Sequence, residues 1–103
     1  SGPENMFEAV GDMVADETGV LTDVESRYDT VVGCFKQGEQ DGYMVVNYTA
    51  PDLDQTNMVT LTFPGCTTAL VYTEEGTKQV DLVEGGILRV TLGCGQAAFV
   101  IPV

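Results

Sequence analysis

The sequence predicts an all-β fold: an antiparallel β-sandwich of about 7–8 short strands, with a short N-terminal helix. Three observations predict it. From residue 20 onward, apolar residues alternate with polar ones or form short runs. Turns rich in glycine separate these segments, and helical spacing of apolar residues is confined to the first 19 residues. Short strands joined by compact turns describe a sandwich or small barrel and argue against a parallel α/β sheet.

The helix comes first. Pro3 suits a first helical turn, Glu4 and Glu8 lie near its positive end, and Met6, Phe7, Val10, Met13 and Val14 recur at helical spacing before Gly19 stops it. A first strand is expected over 20–26. A second, over 29–36, carries Val31, Val32, Cys34 and Phe35 and ends in a polar turn over 37–42. The third, over 43–49, is apolar on both faces, with Met44, Val46 and Tyr48 on one side and Tyr43, Val45 and Asn47 on the other. Such a strand belongs in the middle of a sheet. After a loop over 51–55, the strand over 58–63 alternates most clearly, with Val59, Leu61 and Phe63 inward. Strands over 69–73 and 78–83 follow. Glu84-Gly85-Gly86 then reads as a two-residue hairpin whose glycines permit positive φ. The strand over 87–92 turns Leu88, Val90 and Leu92 inward, and Gly93-Cys94-Gly95 leads into the last strand, over 96–101. The division expected is a tag remnant (Ser1-Gly2) plus helical connector over 1–19, and a sandwich over 20–103.

Composition excludes several functions. The formal charge of −12 arises from sixteen acids against four bases. It opposes binding to nucleic acid or anionic lipid, which needs clustered Lys and Arg. The longest apolar run, 97–103, is too short to span a membrane, and no charged segment followed by an apolar stretch opens the chain. Half the acids precede residue 30 and read as a solvated face. Cys34, Cys66 and Cys94 are odd in number and widely spaced, so they read as reduced core residues, which fits a cytoplasmic parent protein.

Catalytic chemistry has little to work with. The chain has no histidine, the commonest general base and metal ligand. Gly93-Cys94-Gly95-Gln96 superficially suggests a cysteine nucleophile, but with nothing to activate the thiol it reads as a turn. The carboxylate pairs Asp52/Asp54 and Glu74/Glu75 fall in predicted exposed turns, where acidity stays ordinary. Asp52, Asp54 and Asn57 lack the glycine and terminal glutamate of a calcium loop. No catalytic residue, metal site or cofactor is expected. With no tryptophan, sugar stacking or an interface would fall to tyrosines, and Tyr43, Tyr48 and Tyr72 are the candidates.

From Val31 onward the chain resembles the C-terminal β-sandwich domain of bacterial TIM-barrel glycoside hydrolases and glycosidase-like proteins. The segments that carry the resemblance are Val32-Gly33-Cys34-Phe35, Asp41-Gly42-Tyr43-Met44-Val45-Val46-Asn47-Tyr48, Val59-Thr60-Leu61-Thr62-Phe63, Ala69-Leu70-Val71-Tyr72, Val80-Asp81-Leu82 and Ala98-Phe99-Val100-Ile101-Pro102-Val103. It implies a non-catalytic accessory domain that packs beside the catalytic barrel and stabilises it. The family's catalytic acids lie in that barrel, so none carries over. Gly93-Cys94-Gly95-Gln96 departs from the Pro-Gly-Glu-Gly-like turn the resemblance leads one to expect. The expected partner is the catalytic domain of the parent, with the helical stretch as connector, its apolar stripe folded onto the sandwich. The alternatives are a carbohydrate-binding module and a protein–protein or oligomer interaction domain.

Overall fold

The structure, a computed structural model, describes residues 19–28, 30–47 and 56–103. The predicted helix lies outside the described residues, as do Tyr48, Asp52 and Asp54. Among the described residues eight strands form two antiparallel sheets, with no helix. In chain order they are β1 (Asp23–Ser26), β2 (Thr30–Gln37), β3 (Gln40–Asn47), β4 (Asn57–Thr62), β5 (Thr68–Thr73), β6 (Gly76–Asp81), β7 (Ile87–Leu92) and β8 (Ala97–Pro102). The larger sheet runs β2-β3-β8-β5-β6 and the smaller β1-β4-β7.

One core lies between the sheets. The alternation of β4 and β7 buries Val59, Leu61, Leu88, Val90 and Leu92, and the facing positions are Tyr43 and Val45 of β3, Ala98 and Val100 of β8, and Ala69 and Val71 of β5. Burying each Val or Leu contributes roughly 1.5–3 kcal/mol against the entropy of ordering the chain. Phe63 closes this core, its ring 5.2 Å from that of Tyr43.

Polar groups tie the sheets at their rims. The Tyr43 hydroxyl accepts from the Leu21 backbone N–H at 3.2 Å, and the next amide, Thr22, donates to the Thr62 carbonyl of the smaller sheet. The buried Asn47 amide on β3 donates to the Leu92 carbonyl on β7 at 3.0 Å. The buried Asn57 amide on β4 donates to the Tyr28 carbonyl and to Thr30 Oγ1 at 3.1 and 2.8 Å, where the chain enters β2. A buried amide left without such partners would cost about 1–3 kcal/mol.

Two turns differ from expectation. The glycines at 85 and 86 do take positive φ, 98° and 78°, but the turn they make closes a single antiparallel bridge, Val83 with Ile87, around three residues and not a ladder between β6 and β7. β6 pairs with β5 and β7 with β4, so the segment between β6 and β7 carries the chain from one sheet to the other. Pairing decides this: the alternation of β7 matches that of β4, putting Val90 opposite Val59 and Leu88 opposite Leu61. The Gly86 carbonyl accepts from Phe63 N at 2.7 Å, drawing the crossover onto the end of β4. The polar stretch 37–42 is likewise no long turn, because Gln37 pairs with Gln40 and only Gly38 and Glu39 lie between. Asp41 is held in the strand by Lys36 at 3.3 Å and by the Val20 N–H at 3.1 Å. β6 begins and ends two residues earlier than its alternation suggests, and β1 is confined to the second half of its predicted range.

Gly86 separates backbone strain from close approach. A Cβ there would overlap the Phe63 carbonyl oxygen, whereas one at Gly38 (φ 62°) would meet nothing within 4 Å. Gly38→Ala should therefore cost about 1 kcal/mol and Gly86→Ala more than about 3 kcal/mol. Urea denaturation compares them, and equal losses would contradict the crossover contact.

Candidate functional site

The face of the larger sheet turned away from the core is the candidate site, and register builds it. On β8, Ala98 and Val100 point to the core, so Phe99 and Ile101 take the other face. Pairing places Met44 and Tyr72 on either side of Phe99, Leu70 beside Ile101, and Phe35 beside Gly42. The Phe35 and Tyr72 rings lie 6.2 and 6.3 Å from Phe99, both tilted. Such contacts are worth about 0.5–1.5 kcal/mol each beyond the burial itself. Gly42 makes room for the central ring, since a Cβ at that position would lie 2.7 Å from Phe99 Cζ.

Phe99 and Ile101 are 1% and 4% exposed, while Val31 at the β2 edge is 52% exposed. Val31, Phe35, Met44, Val46, Leu70, Tyr72, Phe99 and Ile101 share this face by register, flanked by the uncharged polar Gln37, Gln40, Thr68, Thr77 and Gln79. Charge appears only at its margin, with Asp81 on β6. The outer face of the smaller sheet is different. Asp23, Glu25, Thr60, Thr62, Arg89 and Thr91 line it, with Met58 and Ile87 the apolar residues among them. On a chain of formal charge −12 this uncharged apolar field spans four strands, buried at its centre and strongly exposed among its large side chains only at Val31.

The sequence-selected tyrosines separate. Tyr43 is 1% exposed and packs on Phe63, so it is a core residue with no ring face to offer a sugar. Burial pushes its hydroxyl up to about 12. Tyr72 is half-buried and belongs to the outer face beside Phe99. Tyr48 lies outside the described residues. Phe63 lies between the sheets, whereas Phe99 is buried in a second cluster on the other face of the larger sheet, with Phe35 packed against it. The signal that would have found this second cluster is the two-step periodicity of Ala97–Pro102, apolar at every position.

The other candidates are occupied structurally. Glu74, in the β5–β6 turn, accepts at 2.9 Å from Nε2 of Gln96, the residue before β8, and both Glu74 and Glu75 are exposed. Asn57 spends its amide on Tyr28 and Thr30 rather than offering it to an ion. Cys34, Cys66 and Cys94 are half-buried and form no disulfide with one another, and burial raises the first two thiols above their usual value, with Asp41 adding to the effect. Cys94 sits in a tight turn in which Gln96 N donates to the Gly93 carbonyl and Gly95 N to the Asn47 carbonyl. Among the described residues no three His, Cys, Asp or Glu side chains group to hold a metal ion.

A cleft of about 450 Å³ opens between the β6 and β7 edges. Val80, Leu88 and Val90 form its floor, Glu75, Lys78 and Arg89 its rim, and none of its lining residues is aromatic. It therefore lacks the flat ring that stacks on a sugar. No family model matches the chain, and no curated protein or solved structure matches it either.

The Tyr43 hydroxyl makes a testable demand on alkaline stability. Its folded value is raised above 10.0, so its contribution is complete below pH 10 and is lost as the pH climbs towards about 12. Tyr43→Phe should cost about 1–2 kcal/mol near neutrality, because Leu21 N–H loses its acceptor, and should flatten the decline above pH 10. Denaturation midpoints at several alkaline pH values check this. An unchanged slope in the variant would contradict it.

Proposed function

We propose that the chain is a non-catalytic β-sandwich accessory domain of a larger carbohydrate-active protein. In this reading it holds and stiffens the polypeptide beside it through the outer face of its larger sheet. The carrying observation is that face, an uncharged apolar field centred on Phe99 in a strongly acidic chain. Water-facing sheets keep one face largely polar, as the smaller sheet does here apart from Met58 and Ile87. A larger sheet apolar on both sides has surface to bury against something else. Aromatic and methionine side chains are typical of such contact cores. The glycoside-hydrolase setting comes from the sequence resemblance, and shared fold type alone would not supply it.

The role assigned to the described side chains also favours structure over chemistry. Tyr43, Asn47 and Asn57 are spent on tying the two sheets together. Lys36 and Asp41 pair with each other. What the domain offers to a neighbour is shape and apolar area.

Two measurements test the reading. The purified chain should release no chromophore from a panel of chromogenic glycosides, and turnover above the blank would contradict the proposal. In the parent polypeptide, Tyr72→Lys should leave the catalytic constants in place while removing about 1–2 kcal/mol of stability, seen as a lower melting temperature. A surface that packs against nothing would tolerate that lysine without change.

A further inference from the structure

We propose that the cleft between the β6 and β7 edges takes an extended, carboxylate-bearing peptide of a partner protein, which adds to β7 as a further strand of the smaller sheet. The cleft lies apart from the Phe99 face, and neither reading depends on the other. Three observations lead to it.

The first is the open edge. β6 ends the larger sheet and β7 the smaller, and among the described residues neither has a second neighbour. In an antiparallel strand the backbone groups of successive residues point to alternate sides. Gly86 directs its carbonyl to Phe63, whereas the Ile87 N–H and C=O both bond Val83, on the side away from β4. By that alternation Leu88 and Val90 bond β4, while Arg89 and Thr91 aim their N–H and C=O groups at the cleft, which both residues line. Another extended backbone is the partner that fits such a row.

The second is the floor. Val71, Val80, Leu88 and Val90 give the cleft an aliphatic lining, and its volume of about 450 Å³ suits a bound segment. A strand laid along β7 would turn every second side chain onto this floor and the others outward beside Arg89.

The third is charge. Of the four bases, Lys36 pairs with Asp41 and Arg27 lies over the Tyr28 ring. Lys78 and Arg89 have no ion-pair partner among the described residues, and both stand exposed at this cleft. Lys78 is paired with Val71, a core residue, so it sits on the face of β6 turned towards the smaller sheet. Of the two acids in the lining, Glu74 is engaged by Gln96, and Glu75 lies in the turn before β6. Two uncommitted cations at one cleft, in a chain with sixteen acids, select a carboxylate on the incoming strand. They disfavour a second copy, which would bring like charges together.

The test titrates the full, 15N-labelled chain with a short capped peptide of alternating valine and glutamate. The Arg89 and Thr91 amide signals should shift saturably, and their hydrogen exchange, fast in the free chain, should slow about tenfold or more. Signals of β2, the other open edge of the larger sheet, should stay in place. Arg89→Glu, at an exposed position, should weaken this peptide about fivefold and strengthen its valine–lysine counterpart. Absence of a saturable shift, or equal binding of the two peptides by the unaltered chain, overturns the proposal. So does slow exchange of Arg89 and Thr91 in the free chain, which would mean that the chain covers this edge itself. A shift of the same amides with protein concentration alone would assign the edge to a second copy and overturn it as well.

Discussion

A central strand that is apolar on both faces has to be covered twice, and β8 is such a strand. Ala98 and Val100 fill the space between the sheets, while Phe99 and Ile101 take the other side at 1% and 4% exposure. Because β8 also pairs with β3 on one edge and β5 on the other, it sets the register of the larger sheet. That register decides which residues of both neighbours face the core and which face outward. Slipping it by one residue would exchange the two sets, placing Phe99 where Val100 belongs, beside Tyr43 and Val71.

The smaller sheet is simpler, and its simplicity explains the asymmetry of the molecule. β4 and β7 bury one face and hydrate the other, so they need cover from one side only. Hydrophobic burial between the sheets is non-directional and would tolerate sliding. The directional constraints are the buried polar groups at the rims. Tyr43 and Asn47 on β3, and Asn57 on β4, each reach a backbone carbonyl or amide that belongs to another element. These bonds fix the lateral position of one sheet over the other.

How much of this was legible depended on how many sides of a strand meet water. In β4 and β7 the inward residues follow from alternation alone, since Thr60, Thr62, Arg89 and Thr91 mark the wet side. In β8 no polar residue marks a side, and in β3 the polar Asp41 and Asn47 fall on the core side, so sequence indicates a central strand but not which phenylalanine faces the core. Gly42 read as part of a turn because glycine beside Asp41 is common there. Its reason is the Phe99 ring, a contact 57 residues away in sequence. The glycines at 85 and 86 announced positive φ correctly, yet local chemistry does not record whether a turn returns to its own sheet or crosses to another. Tyr43 looked like a surface candidate until its ring was found against Phe63.

Two-sided burial of β8 is the claim on which the functional reading stands, and paired truncations on its two sides measure it most directly. Ile101→Ala removes apolar contact from the outer face and Leu88→Ala from the core, both at buried positions. If the outer face is a covered surface, urea denaturation should give losses of about 2–4 kcal/mol for each, within about 1 kcal/mol of one another. A loss below about 0.5 kcal/mol for Ile101→Ala beside a full loss for Leu88→Ala would mark the outer face as ordinary surface and contradict the account.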